Sequence, residues 1–187
     1  MMSIALTRSL NFHHATSNHG FSLNGTRAMS RTALYFAYGS NLRAAQMDHL
    51  CPGHQFLAAA RLDGYRLAFT LPDREWQGGV ADLLSAPGHC VWGALYRIDA
   101  THLAALDAYE GFDPRQADAD HAYIRRTIEI TTQDHLKHPD VWCYFVRQPH
   151  GHVPPSALYL RALCEGARER HLPPGYRQAM QKAFAGP

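Results

Sequence analysis

From Leu34 to Tyr38 the chain runs without a break through Leu-Tyr-Phe-Ala-Tyr and then meets Gly39. An uninterrupted apolar stretch of this kind suits a buried strand, so the rest of the chain must supply a sheet and covering helices around it. Gly39 ends the strand, and Ser40 or Asn41 can cap a helix over 42–50 that stops at Cys51-Pro52-Gly53. A hairpin is expected next: 56–62, the turn Asp63-Gly64, then 65–71. Two further strands, 79–84 and 91–98, flank the turn Ala86-Pro87-Gly88.

A short helix from about Thr101, with Leu103, Leu106 and Tyr109 near one face, ends at Glu110-Gly111, the glycine sitting where a helix C-terminus wants it. The segment 112–121 is a polar, acid-rich loop. Residues 123–131 alternate, with Ile124, Ile128 and Ile130 on one side, and pair naturally with 141–147. Pro154-Pro155-Ser156 opens a helix over 157–171 with Leu160, Leu163 and Ala167 as its core stripe. Pro173-Pro174 separates it from a last helix over 176–184. This order contains no repeated βαβ unit, which disfavours a doubly wound parallel sheet. The expected class is α+β, a small mixed sheet curled into a barrel with helices packed outside.

With 187 residues the chain is long enough for one domain with a sizeable core. That domain is expected over 33–187, because 1–32 are Ser-, Asn- and His-bearing, lack acids and show no apolar period. The leading stretch therefore reads as a disordered tail or an over-extended start. The net charge is only +2, and no Lys/Arg block interleaves with aromatics, which argues against nucleic acid as a partner. No apolar run suggests a membrane span. The four cysteines are far apart and form no C-x-x-C pair, a pattern that fits a reducing cytoplasm better than a disulfide framework. The thirteen histidines are scattered, with no partner at ligand spacing, so neither metal nor cofactor is expected.

Three features can carry chemistry. A chain that passes from a strand through Gly39 into a helix offers unpaired backbone N–H groups at one point, a place for a carboxylate or an oxyanion. The same residues also read as an ordinary capped turn. Glu110, in the last turn of a helix, meets the negative end of the dipole, which favours its protonated form and suits it to act as a general base. An exposed glutamate before a cap glycine would look the same. Tyr123, Tyr144 and Tyr159 are amphipathic residues that can either pack or reach a cleft.

Taken together, these features resemble one family. Tyr35-Phe36-Ala37-Tyr38-Gly39-Ser40-Asn41-Leu42 resembles the signature loop of the γ-glutamylcyclotransferases (AIG2-like fold). Further matches follow in order: Gly78-Gly79-Val80-Ala81, Pro87-Gly88 with Val91-Trp92-Gly93, Leu106-Asp107 with Glu110-Gly111, and Pro154-Pro155-Ser156 with Tyr159. The likeness spans roughly 34–184. It implies a mixed-sheet barrel and intramolecular cyclisation of a γ-glutamyl group to 5-oxoproline with release of the free amine. It also implies Glu110 as acid/base and residues 35–41 as the γ-glutamyl-binding loop (Tyr35, Phe36, Ala37, Tyr38, Gly39, Ser40 and Asn41). Tyr159 and, less directly, Tyr123 would be substrate contacts. The expected partner is a small γ-glutamyl molecule, taken up by a cytoplasmic monomer or homodimer.

One departure stands out: 112–122 is longer than in the nearest members of the family. Its Asp113, Asp118 and Asp120 could line the leaving-group end of the cleft. Two other readings stay open on the residues alone. One is a hydrolase using Ser40 or Cys90 as nucleophile, although Ser40 lacks the G-x-S-x-G elbow. The other is a domain that binds a γ-glutamyl metabolite without turning it over.

Overall fold

The computed structural model describes residues 32–117 and 121–184; the expectations for 1–31 and for Asp118 and Asp120 fall outside these. Strand β1 (Ala33–Ala37) is followed by a 3-10 turn (Ser40–Leu42) and helix α1 (Ala44–Leu50). Strands β2 (Gln55–Asp73) and β3 (Gly78–Ile98) lead to helix α2 (Ala100–Glu110). Strands β4 (Tyr123–Thr132) and β5 (Lys137–Val146) precede helices α3 (Ala157–Glu169) and α4 (Pro174–Phe184). The strands close into a barrel in the order β1-β3-β2-β4-β5. Neighbours run antiparallel except at the seam, where β1 meets β5 in parallel with Tyr35 opposite Trp142. This is the small mixed barrel with outer helices that the order of elements predicts.

The middle of the chain departs from expectation. Residues 56–71 do not fold back on themselves; β2 is a single strand of 19 residues, and β3, at 21, joins 79–84 to 91–98. Asp63 pairs with Cys90 and Tyr65 with Ser85, so Gly64, at φ +80°, faces the excursion 86–89 across the ladder. Asp63-Gly64 and Ala86-Pro87-Gly88 thus make the two sides of one bulge rather than two turns. A bulge uses the same positive-φ glycine that a turn would.

The helix expected over 42–50 also divides. Residues 40–42 make the separate 3-10 turn, Arg43 is extended at φ −69°, ψ 134°, and α1 begins at Ala44 without a side-chain cap. Neither Ser40 nor Asn41 caps it, because Asn41 turns its amide inward, as described below. With so short a first turn, a helix dipole contributes little at Gly39, and what remains there is the local N–H groups.

Helix α2 is fixed at both ends. Asp99 accepts from the N–H groups of Thr101 and His102, each at 2.9 Å, and the His102 ring returns a contact to Asp99 N. Gly111, at φ 70°, ψ 36°, ends the helix in the left-handed conformation. Those caps set where Glu110 stands. Helix α3 begins at its cap Ser156, whose Oγ accepts from Tyr159 N and donates to the Trp76 carbonyl at the β2–β3 tip. Farther along α3, Gly166 lies directly on Leu42, and Arg170 Nε donates to the Leu42 carbonyl at 3.0 Å. One helix therefore grips both the ribbon tip and the turn after Gly39. The core inside these elements includes Phe36, Leu95, Tyr96, Leu106, Ile130, Val141 and Leu163, all essentially buried. No helix among the described residues is long and apolar enough to cross a membrane.

Candidate active site

At the seam of the barrel a pocket of about 320 Å³, counting its open mouth, is lined by Tyr35, Tyr38, Gly39, Ser40, Asn41, Ala81, Glu110, Tyr123, Tyr144 and Tyr159. Residues far apart in sequence meet here because β1 is the seam strand, α2 ends beside it, and α3 lies across its exit. Asn41 is the hinge of the arrangement. Its Nδ2 donates to the Tyr35 hydroxyl at 2.9 Å and to Glu110 Oε1 at 3.1 Å, while Tyr96 OH donates to its carbonyl. Asn41 Oδ1 is buried and has no hydrogen-bond partner among the described residues.

Ala81 is the second anchor, through its main chain alone. Its N–H donates to Tyr159 OH at 3.0 Å, and its carbonyl accepts from Tyr123 OH at 3.1 Å. The adjoining Asp82 holds the backbone in place: it accepts from Thr70 Oγ1, Leu83 N and Val146 N and is almost wholly buried. Tyr38 OH donates to the Tyr144 carbonyl at 2.7 Å. Gly39 passes so close to the Tyr159 hydroxyl that an added Cβ would stand 3.2 Å from it.

Most of the residues singled out in the sequence therefore converge. Glu110, Tyr35, Tyr38, Gly39, Ser40, Asn41, Tyr123 and Tyr159 all line the cavity. Phe36 and Ala37 do not. Phe36 is fully buried with its ring over Gly93, and the Ala37 carbonyl faces Gly93 as well, so these two build the wall behind the loop. Tyr144 was visible as one of the scattered tyrosines and belongs to the lining. Ala81 carried a sequence signal only as part of Gly78-Gly79-Val80-Ala81. Among the described residues no histidine lines the pocket to serve Ser40 as a base, and Cys90 instead lines a groove beside α4.

The pocket keeps its phenols neutral. Burial first, and then the charge of Glu110, push Tyr35 and Tyr123 well above the usual phenol range. Tyr159 rises for the same leading reason, and Tyr144 through burial and its bond to Asp107. Tyr38 is raised mainly by burial. A phenol whose folded pKa lies above its unfolded value of 10.0 contributes stability that is intact below that pH and is lost as pH climbs beyond it. An alkaline titration is therefore expected to show the phenolate absorbance of these residues rising together with loss of far-ultraviolet dichroism. Smooth ionisation near pH 10 with the dichroism intact would contradict it.

The closed mixed barrel thus brings one carboxylate, a glycine turn and a ring of tyrosines to a single pocket. The family model for "Gamma-glutamyl cyclotransferase, AIG2-like" matches residues 35–161, and the chain belongs to that family. The Gamma-glutamylcyclotransferase of Bos taurus is 31% identical over 152 residues, covering 79% of this chain and 76% of that protein. The Homo sapiens protein of the same name is 29% identical over 153 residues, covering 79% and 77%. Among solved structures, a gamma-glutamyl cyclotransferase superposes with a TM-score of 0.73 at 28% identity, covering 81% of this chain and 87% of its own. YkqA from Bacillus subtilis gives 0.68 at 26% identity, covering 83% of this chain and 55% of its own.

Proposed function

We propose that this protein cyclises the γ-glutamyl group of γ-glutamyl amino acids or peptides to 5-oxoproline, releasing the free amine, with Glu110 as the base and then the acid. The observation that carries this reading is the Asn41–Glu110 bond, which aims a carboxylate into a pocket walled by the Gly39–Ser40 turn and neutral tyrosines. Intramolecular attack needs no nucleophile from the protein, so the site has only to fold the substrate, move protons and hold charge.

Glu110 takes a proton from the α-ammonium, and the freed amine attacks the γ-carbonyl carbon. A C–N bond forms, and the carbonyl oxygen becomes an oxyanion that N–H groups of the 39–41 turn and the remaining proton of Tyr159 can meet. The bond from that carbon to the leaving nitrogen then breaks as Glu110 returns its proton there. The ring nitrogen sheds its second proton after the attack, and this too goes to the released amine, so the α-nitrogen loses two protons, the amine gains two and no water is consumed.

The test is a panel of γ-glutamyl amino acids, glutathione and γ-glutamylamines incubated with purified protein, with 5-oxoproline measured by mass. Release from at least one γ-glutamyl amino acid or peptide is expected. Saturable binding with no 5-oxoproline over hours would replace this reading with that of a binding domain.

A further inference from the structure

The mechanism above leaves a second carboxylate unused. Asp107 stands one turn before Glu110 on α2 and is 8% exposed. Its Oδ1 accepts from the Tyr144 hydroxyl at 2.7 Å, and its Oδ2 accepts from Arg125 Nη1. Arg125 is itself held between two rings, 4.5 Å from the centre of Trp142 and 5.2 Å from that of Phe112. An arginine can only donate, and an ionised carboxylate can only accept, so the direction of every bond in this chain is fixed. Arg125 occupies one oxygen of Asp107, the other takes the proton of Tyr144, and Tyr144 therefore turns only lone pairs toward the pocket it lines.

Applied to the other hydroxyls, the same accounting divides the pocket. Tyr38 and Tyr123 give their protons to the carbonyls of Tyr144 and Ala81. Tyr159 and Tyr35 accept from Ala81 N and Asn41 Nδ2 and keep protons to donate. Tyr38, Tyr123 and Tyr144 have thus spent their protons, and with the Glu110 carboxylate they give the lining acceptors suited to a cation.

We propose that Asp107, anchored by Arg125, is a positioning residue that makes Tyr144 an acceptor and so selects ligands bearing a free α-ammonium. This rests on the γ-glutamyl reading of the same pocket. Asp107→Asn should reverse the bond. The amide oxygen must turn to Arg125, its NH₂ then donates to Tyr144, and the Tyr144 proton is driven into the pocket against the ammonium.

The experiment compares γ-glutamyl-alanine with glutaryl-alanine, which lacks the amine and cannot cyclise, in wild type, Asp107→Asn, Tyr144→Phe and the double variant. KM comes from 5-oxoproline release, and Kd for glutaryl-alanine from calorimetry. Asp107→Asn is expected to raise KM for γ-glutamyl-alanine by about 10- to 100-fold, the usual weight of a hydrogen bond to a charged group. Glutaryl-alanine should bind as well as before or better, and in the Tyr144→Phe background the same change should add about twofold at most.

Equal weakening of both ligands, an unchanged ratio, or a full effect without the Tyr144 hydroxyl would each overturn the proposal. Tyr144→Phe should show the same selective loss without touching Asp107, and its weakening both ligands equally would overturn the proposal even if Asp107→Asn does not fold. If wild type releases no 5-oxoproline, the assigned reaction fails separately. Calorimetry with both ligands then still decides whether Asp107 selects the ammonium.

Discussion

Glu110→Gln is expected to lower the rate of 5-oxoproline release by about 10²–10⁴-fold, the usual yield of a positioned acid/base. Glutamine keeps the length of the side chain, and its carbonyl oxygen can still accept from Asn41 Nδ2, as Glu110 Oε1 does at 3.1 Å. The Tyr35–Asn41 bond should therefore survive, along with the shape of the pocket. What the amide cannot do is take a proton from an ammonium and hand one to a leaving nitrogen. The loss should fall mainly on kcat, because proton transfer belongs to the chemical step, with a smaller rise in KM because the carboxylate also faces the substrate ammonium. Release by Glu110→Gln at the wild-type rate would remove the carboxylate from the mechanism.

A large stability effect is expected at Gly93, behind the pocket wall. In Gly93→Ala the new Cβ would stand 2.3 Å from the Ala37 carbonyl oxygen and 2.6 Å from the Phe36 ring. The carbonyl belongs to a strand paired on both sides, and the ring is fully buried, so neither can move aside cheaply. Overpacking of this kind costs about 1–3 kcal/mol, and a backbone atom in the way places this case at about 3 kcal/mol. Urea unfolding should show that loss as a lower midpoint with an unchanged slope. A midpoint equal to wild type would mean that β1 and β3 can separate at this point.

The sequence and the structure agree where the signal is local. Glu110-Gly111 announces the end of α2 because only a left-handed residue closes the helix there, and the alternation of 123–131 forecasts its pairing with β5. They part where a residue's use is decided by something distant. Asp63-Gly64 and Ala86-Pro87-Gly88 carry good turn chemistry, but each is answered across the ladder by the other, which no local window reveals. Asn41 has the makings of a cap, yet Tyr35 and Glu110 claim its side chain. Tyrosine types were legible, whereas the direction of each hydroxyl proton depends on partners such as Asp107 and the Ala81 peptide. Phe36 and Ala37 shared the loop's signature, and that signature serves wall and floor alike.

Tyr35 is at once a wall of the pocket and the residue through which the first strand meets the last. Tyr144 from β5 and Tyr159 from α3 complete the lining, so the barrel must close before the pocket has all its walls. A change that loosens the contact between β1 and β5 is therefore felt in the pocket as well as in the barrel.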